Sequence, residues 1–333
     1  MKKIQILSLF LCISMLMSLC ACTKNEMEIG ASVVPTQVFY ASEEEEAMEE
    51  IPEEITQDFS HGFSVHFIDV GQGDAALVVC DGQTMLIDGG KAYASRIIYT
   101  YLKKLKIEAL DYMVATHPDD DHIGGLSAPL SNMTVKHVLA PQTEADTKSF
   151  QTFKKKIAEQ GLTVTHPKPG EGMMLGSSNI EFFGPINENE RNRNNSSIVM
   201  KISYGDTSFL FTGDAEREEE RDILNEGYDL SATVLKVGHH GSKNSTTYPF
   251  LREIMPEYAV ISVGKNNGYG HPTEDVLSRL RDADVTVYRT DKQGDIVMVS
   301  DGKTVTVTAE RKKPVQADPT EEEPEEGKTT RSK

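Results

Sequence analysis

Six consecutive residues concentrate the side chains that can do chemistry. Between His117 and His122 stand Asp119, Asp120 and Asp121, so that two imidazoles and three carboxylates lie within one short segment. Carboxylates packed this closely repel each other, and a divalent cation is their natural counter-charge. The alternative is a solvated acidic turn whose Asp residues cap a helix, but two flanking imidazoles add nothing to a helix cap. The segment therefore indicates a metal site.

Two further ionisable clusters follow apolar segments. Asp214 follows the segment 208–212, and His239 with His240 follows the segment 233–237. Taken alone, Asp214 is typical of a helix N-cap, and a His pair is typical of a surface or packing feature. Layered α/β proteins build their sites in loops at the ends of rigid strands. The recurrence of such clusters at strand ends therefore favours one shared site.

These clusters require a framework of buried strands. Apolar runs divided by Gly-containing turns predict strands at 63–70, 75–80 and 84–87, before a helix at 91–105 and a strand at 112–116. From residue 149 onward the predicted helices and strands alternate. Strands that come first and later alternate with helices suit two sheets covered by helices in a single domain.

The site clusters resemble the signature of the metallo-β-lactamase fold. Residues 116–122 are similar to its His-x-His-x-Asp-His motif, with Asp119 where the second His usually stands. Asp88 matches the carboxylate that buttresses the site in that superfamily, Asp214 the carboxylate that bridges two metals, and His240 the late ligand. The resemblance implies an α/β fold in which one domain forms a four-layer αβ/βα sandwich.

Three narrower motifs resemble the extracellular nuclease domain of ComEC competence proteins and its stand-alone relatives. They are residues 67–74 (Phe-Ile-Asp-Val-Gly-Gln-Gly-Asp), 239–242 (His-His-Gly-Ser) and 270–272 (Gly-His-Pro). The resemblance implies a metal-dependent hydrolase, a phosphodiesterase or nuclease, in which metal-activated water attacks phosphorus.

The resemblance also implies two divalent metal ions, zinc or manganese. Site one would hold His117, Asp119 and Asp214, and site two would hold Asp121, His122, His240 and the shared Asp214. The usual third His of site one is missing, and either Asn195 or a water completes that site. Oxygen-rich ligation favours manganese, although zinc also binds such sites. Which of His239 and His240 is the ligand stays open.

Catalytic roles follow from the same resemblance. Asp121 or Asp119 relays the proton, and His239 and His271 contact the phosphate. The resemblance implies DNA or another phosphodiester as the substrate, and a cell-envelope phosphodiester of the teichoic-acid or phosphorylcholine type is the alternative. A non-catalytic envelope-binding module is a third interpretation. The formal net charge of −18 and the lack of interleaved aromatic and basic residues favour a small or envelope substrate over long DNA.

The two ends of the chain differ from its body in composition. Residues 1–21 combine Lys2 and Lys3 with an apolar run and are predicted to be a lipoprotein signal peptide, because the residues up to Cys22 resemble the bacterial lipoprotein box. Lipid on Cys22 would anchor the protein to the cell membrane on its extracytoplasmic side. We predict that residues 22–59 are an acidic tether, 60–313 the hydrolase domain and 314–333 a disordered acidic tail. Cys80, in an apolar run, is predicted to be a core residue.

Overall fold

The strands of the protein form two sheets. The computed structural model describes residues 60–188 and 191–311, so the predicted signal peptide, the tether and the tail beyond residue 311 lie outside the described residues. The strands in chain order are β1 (Phe63–Phe67), β2 (Ala76–Cys80), β3 (Gln83–Ile87), β4 (Ala109–Val114), β5 (Thr134–Leu139), β6 (Val164–Thr165), β7 (Gly172–Leu175), β8 (Ser178–Gly184), β9 (Val199–Tyr204), β10 (Thr207–Phe211), β11 (Val234–Lys236), β12 (Tyr258–Ile261), β13 (Thr286–Arg289), β14 (Ile296–Ser300) and β15 (Val305–Ala309).

Helices occupy the connections between these strands. The α-helices are α1 (Ser95–Lys104), α2 (Asp120–Ile123), α3 (Ser127–Asn132), α4 (Lys148–Glu159), α5 (Arg217–Glu226), α6 (Tyr248–Ile254), α7 (Glu274–Asp282) and α8 (Thr290–Gln293). Short 3₁₀ turns lie at Ala92–Ala94, Gly124–Leu126, Arg193–Ser196 and Gly238–Gly241. Within the described ranges, no helix is both long and apolar enough to cross a membrane.

Each sheet is half antiparallel and half parallel. The first has the order β15-β14-β1-β2-β3-β4-β5-β6 and becomes parallel from β3 onward. The second has the order β13-β12-β11-β10-β9-β8-β7, and its strands from β10 to β13 are parallel. Because the carboxyl ends of parallel strands lie at one edge, each sheet gathers its loops where a site can form.

The alternation of side chains along the strands builds the core between the sheets. Phe63 and Phe67 of β1 point toward the second sheet, where their rings contact Phe209 and Phe211 of β10 at centroid distances of 5.3 and 5.9 Å. Cys80 is buried in this layer as a free thiol, as predicted. The alternate residues of the first sheet face the helices instead.

Helices cover the outer face of each sheet. On the first sheet, α1 contributes Ile98 and Leu102, and α4 contributes Phe150, Phe153 and Ile157, at helical spacings of three and four. On the second sheet, α5, α6 and α7 bury their apolar faces in the same way. The result is a four-layer αβ/βα sandwich, which confirms the predicted fold class.

The strand predicted at 63–70 is shorter in the structure. It ends at Phe67, and the following loop turns back with positive φ angles at Gly71 and Gly73, of 70° and 135°. A β-carbon on Gly73 would collide with the carbonyl oxygen of Asp121. Glycine thus lets this loop pack directly against the predicted metal-binding segment, and the backbone N–H of Asp74 donates to the same carbonyl oxygen at 3.1 Å.

Candidate metal centre

The ionisable clusters converge at the facing edges of the two sheets. Asp88 follows β3, and the segment from His117 follows β4 in the first sheet. Asp214 follows β10, and His239 with His240 follows β11 in the second sheet. The two sheets therefore contribute opposite halves of one site, as expected for loops at the ends of parallel strands.

Asp214 lies at the middle of the site. Its carboxylate oxygens lie 3.3 Å from His122 Nε2, 3.5 Å from His240 Nε2, 3.7 Å from His239 Nε2 and 3.9 Å from His117 Nε2. One buried carboxylate thus faces four imidazoles.

In the part of the chain that the structure describes, four groups of donors at the site are close enough to hold metal ions, and Asp74 belongs to two of them. The other two are His117, His122 and Asp214, and Asp121, His122 and His240; within each group the donor atoms lie within 4.8 Å of one another. The Nε2 atoms of His117, His122 and His240 and Oδ1 of Asp214 are buried and have no hydrogen-bond partner among the described residues. Imidazole nitrogens and carboxylate oxygens without partners are the donors that zinc and manganese take. The residues therefore fit divalent metals.

Asp88 supports the first-sheet half of the site. It accepts hydrogen bonds from the backbone N–H of Thr116 at 2.8 Å and from the Thr116 hydroxyl at 2.7 Å. His122 Nδ1 lies 2.8 Å from Asp88 Oδ2. Such a bond places the proton on Nδ1 and leaves Nε2 free to bind a metal.

A second supporting carboxylate, Asp74, was not predicted as a site residue. Its Oδ1 lies 3.0 Å from His240 Nδ1, and its Oδ2 lies 2.8 Å from Nζ of Lys236, which is also buried. His240 Nδ1 also contacts the carbonyl oxygen of Ser262 at 3.0 Å. Lys236 thus holds Asp74, and Asp74 holds the ring of His240. Nothing in the local sequence around Lys236 marks it, because it ends an apolar strand.

Strained backbone orients the two adjacent imidazoles. His239 and His240 both have positive φ angles, 50° and 53°, which cost a non-glycine residue about 1 kcal/mol or more. His240 directs Nε2 into the centre. The His239 side chain is partly exposed, and its Nδ1 lies 3.2 Å from the carboxylate of Glu216. This leaves Nε2 of His239 facing Asp214, as Nε2 of His240 also does. Positive φ angles at these two residues persist only because the surrounding structure holds the backbone in this conformation.

Two residues from the predicted site one lie outside these donor groups. Asp119 is paired with Arg193, whose Nε lies 2.6 Å from Asp119 Oδ1. Asn195 is buried, but its amide oxygen accepts the backbone N–H of Glu216 at 2.9 Å and its amide nitrogen donates to Glu218 at 2.9 Å. The structure thus commits both atoms of the Asn195 amide to the start of α5. His271 lies at the rim, with its ring edge-on to His239.

Burial and opposite charges act against each other at the site. Burial alone would lower the pKa of His122, but the Asp214 and Asp88 carboxylates raise that pKa well above its usual range. Burial also acts to lower the pKa of His240, but Asp214 and Asp74 raise that pKa to about 10. By contrast, burial and repulsion from His122 lower the pKa of His117 to about 4. A divalent cation must displace the imidazole protons to bind, so metal affinity rises with pH.

The family of the chain is shown by comparison with known proteins. A family model of the metallo-beta-lactamase superfamily matches residues 68–265. The chain belongs to this superfamily, whose members are metal-dependent hydrolases. Among solved structures it resembles the metallo-beta-lactamase fold protein YhfI from Bacillus subtilis, with 12% identity and a TM-score of 0.49 over 74% of this chain and 100% of that one.

The curated relatives include ComEC-family competence proteins, which confirms the ComEC-like resemblance. The chain is 33% identical over 250 residues to ComE operon protein 3 of Bacillus subtilis (strain 168), covering 70% of this chain and 32% of that protein. It is 32% identical over 228 residues to competence protein ComA of Neisseria gonorrhoeae, covering 68% and 30%. The chain therefore spans about a third of the length of these relatives.

Removal of the Lys236 ammonium tests the link from Lys236 to His240. Lys236→Met removes one of the two cations beside the buried Asp74 carboxylate and leaves only the His240 ring, and breaking a buried ion pair from one side costs up to about 3–5 kcal/mol. We expect that loss in the free energy of unfolding, measured by urea titration in the presence of a chelator.

Lys201→Met is the matched control for this substitution. Lys201 is buried to a similar degree, but its partner Asp229 has a side chain that is 78% exposed and stays solvated when the lysine is lost. We expect a loss of about 1 kcal/mol there. Equal losses in the two variants would show that Asp74 does not depend on Lys236.

Proposed function

We propose that the protein is a metal-dependent phosphodiesterase. The observation that carries this proposal is the convergence of four imidazoles on the buried Asp214 carboxylate, in a site with donor groups close enough to hold metal ions. Metal ions bound there would polarise a phosphoryl oxygen and lower the pKa of water, which is the chemistry that hydrolysis of a phosphodiester needs. His117, His122 and Asp214 would hold one ion, and Asp121 and His240 would hold a second together with His122 or Asp214.

Several residues of the chain have defined tasks in this proposal. Asp74 and Asp88 keep the protons of His240 and His122 on Nδ1, so that Nε2 stays available at the centre. Asp121, whose side chain is 20% exposed, is the carboxylate through which a proton passes to solvent. His239 presents Nε2 beside Asp214 while Glu216 faces its Nδ1. Burial acts to lower the pKa of His239, but Glu216 and Asp214 raise that pKa above its usual value, so the ring can carry a proton on each nitrogen and donate a hydrogen bond from Nε2 to the substrate.

The pair of Asp119 and Arg193 lies at the entrance in this proposal. The guanidinium of Arg193 is partly exposed and can contact a phosphate with its remaining N–H groups. Asp119 then acts by positioning Arg193, or turns inward to a metal as the motif predicts. The net negative charge of the chain opposes binding of long duplex DNA, which favours a short, single-stranded or envelope phosphodiester.

Hydrolysis of a panel of substrates tests the proposed activity. With Mn²⁺ or Zn²⁺ added, the protein should hydrolyse bis(p-nitrophenyl) phosphate and lose that activity in a chelator. The panel also holds single-stranded DNA, a phosphorylcholine ester and a cephalosporin. We expect no turnover of the cephalosporin, and the preference between DNA and the phosphorylcholine ester decides between the two substrate classes.

Asp214→Asn is the variant that tests the centre itself. The isosteric amide keeps the shape but removes the charge that faces four imidazoles, and activity should fall about a hundredfold or more, since even outer residues of metal sites cost 10–100-fold. The matched control is Asp206→Asn, at an exposed hairpin turn. Full activity in Asp214→Asn, or an equal loss in Asp206→Asn, would contradict the proposal.

We propose in addition that the protein is exported and anchored by lipid on Cys22. The proposal rests on the sequence of residues 1–22, which lie outside the described residues. Cys22→Ala should move the protein from the membrane fraction to the soluble extracytoplasmic fraction, since the lipid is the proposed anchor. A cleaved Cys22→Ala protein that stays with the membrane would overturn this assignment.

A further inference from the structure

A row of three rings leads outward from the metal centre. His239, whose Nε2 lies 3.7 Å from Asp214, is edge-on to His271, and their ring centroids are 5.5 Å apart. His271 stacks on Tyr269 at a centroid distance of 5.8 Å and an interplanar angle of 24°. Tyr269 is 61% exposed. The row thus connects the metal centre with an exposed aromatic ring at the surface.

A positive charge lies over the outer ring of this row. Lys91 Nζ is 5.7 Å from the centroid of the Tyr269 ring. Lys91 comes from the loop after β3, whereas Tyr269 lies in residues 264–271 after β12, which we call the rim loop. Bases stack on aromatic side chains and cations attract the phosphates that join them, so this pair suits a nucleotide.

The rim loop holds Tyr269 in a fixed position. The side-chain nitrogen of Asn267 donates to the carbonyl oxygens of Gly264 and His271 at 3.0 and 2.6 Å. Its side-chain oxygen accepts the backbone N–H groups of Tyr269 and His271 at 3.2 and 3.1 Å. A ring presented by a turn that is already ordered loses little conformational entropy when a ligand binds.

A cavity of about 380 Å³ lies beside the rim loop. Its walls include Gln72, Tyr93, Lys265 and Asn267. Lys265 and Arg311 give the cavity two cations, and Asp69 and Asp291 give it two carboxylates. Its size falls in the range of small-ligand pockets.

We propose that Tyr269 and Lys91 form a stacking subsite for a base of a nucleotide-containing phosphodiester. This inference rests on the proposed phosphodiesterase function and names the substrate class for that site. The base stacks on the exposed ring of Tyr269 in the place that Lys91 Nζ now occupies, Lys91 turns aside to neutralise its phosphate, and the row of imidazoles leads from this base toward the scissile phosphate. A phosphorylcholine ester fits less well, because its quaternary ammonium would meet the Lys91 charge at the same ring.

Tryptophan fluorescence tests the subsite directly, because the chain has no Trp. Tyr269→Trp in the full chain keeps a stacking ring and makes it the sole fluorophore of its kind. Titration with a phosphorothioate-linked hexathymidylate, which resists hydrolysis, in the presence of Mn²⁺ should quench that fluorescence. An abasic strand of equal charge, used as the second probe, should quench it little, since it has no bases to stack.

Tyr248→Trp is the matched control. Tyr248 is 53% exposed and has Arg279 5.9 Å from its ring, but it lines a different opening with Arg252 and Met255. The Trp at this position should show no quenching by hexathymidylate. Tyr269→Ala should weaken binding of the same strand about tenfold, the effect of one stacked base, whereas Tyr248→Ala should leave it unchanged.

The outcomes separate this inference from the proposed activity. Absence of quenching, or equal quenching by the abasic strand or at position 248, overturns the stacking subsite even if the unsubstituted protein hydrolyses bis(p-nitrophenyl) phosphate. Selective quenching at position 269 supports the subsite. If it occurs while the unsubstituted protein hydrolyses no phosphodiester, the proposed activity fails and base binding stands.

Discussion

The site depends on one buried carboxylate placed among four imidazoles. Asp214 belongs to the second sheet, and two of the imidazoles it faces, those of His117 and His122, belong to the first. A buried charge without a partner of opposite sign is costly. The buried carboxylates raise the pKa of His122 and of His240, so that these two rings carry positive charge beside them. A divalent metal bound by these residues would supply positive charge to compensate the same carboxylates. The two sheets are therefore joined at this edge by electrostatics as well as by the apolar layer between them.

Buried side chains behind the metal-binding residues hold the histidine rings in place. Asp88 fixes His122 from the first sheet, while Lys236 and Asp74 fix His240 across the junction of the sheets. Asp74 arrives there because Gly73 lets the loop after β1 touch the backbone of Asp121. The loops that bear the ligands are thus tied to one another before any ligand binds, which limits the ordering needed to bind metal or substrate.

The sequence predicted the parts of the fold and site that depend on local pattern. The strong apolar periods of α1 and α4, and the clusters at His117 and Asp214, each carry their signal within a few residues. Strands β5, β7 and β8 were not predicted. In β5, Lys136 and His137 interrupt the apolar pattern, because this strand lies toward the edge of its sheet next to the short β6.

Residues whose role depends on distant partners could not be predicted in this way. Lys236 is an ordinary strand residue until Asp74 is placed beside it, and Asn195 holds the expected chain position of a ligand while its amide bonds to α5. The sequence shows no stretch in which aromatic and basic residues alternate. Lys91 and Tyr269 nevertheless lie together in the structure, because two loops far apart in the chain meet there. The roles of these residues depend on partners that are distant in the sequence and that become neighbours only in the folded protein.

Anomalous diffraction from crystals of the protein grown with Mn²⁺ would locate the bound metals. We expect two peaks that share the Asp214 carboxylate, one also bound by His117 and the other by His240. A single peak away from Asp214, or no peak with the side chains in their present positions, would contradict the account of the site as a dinuclear metal centre.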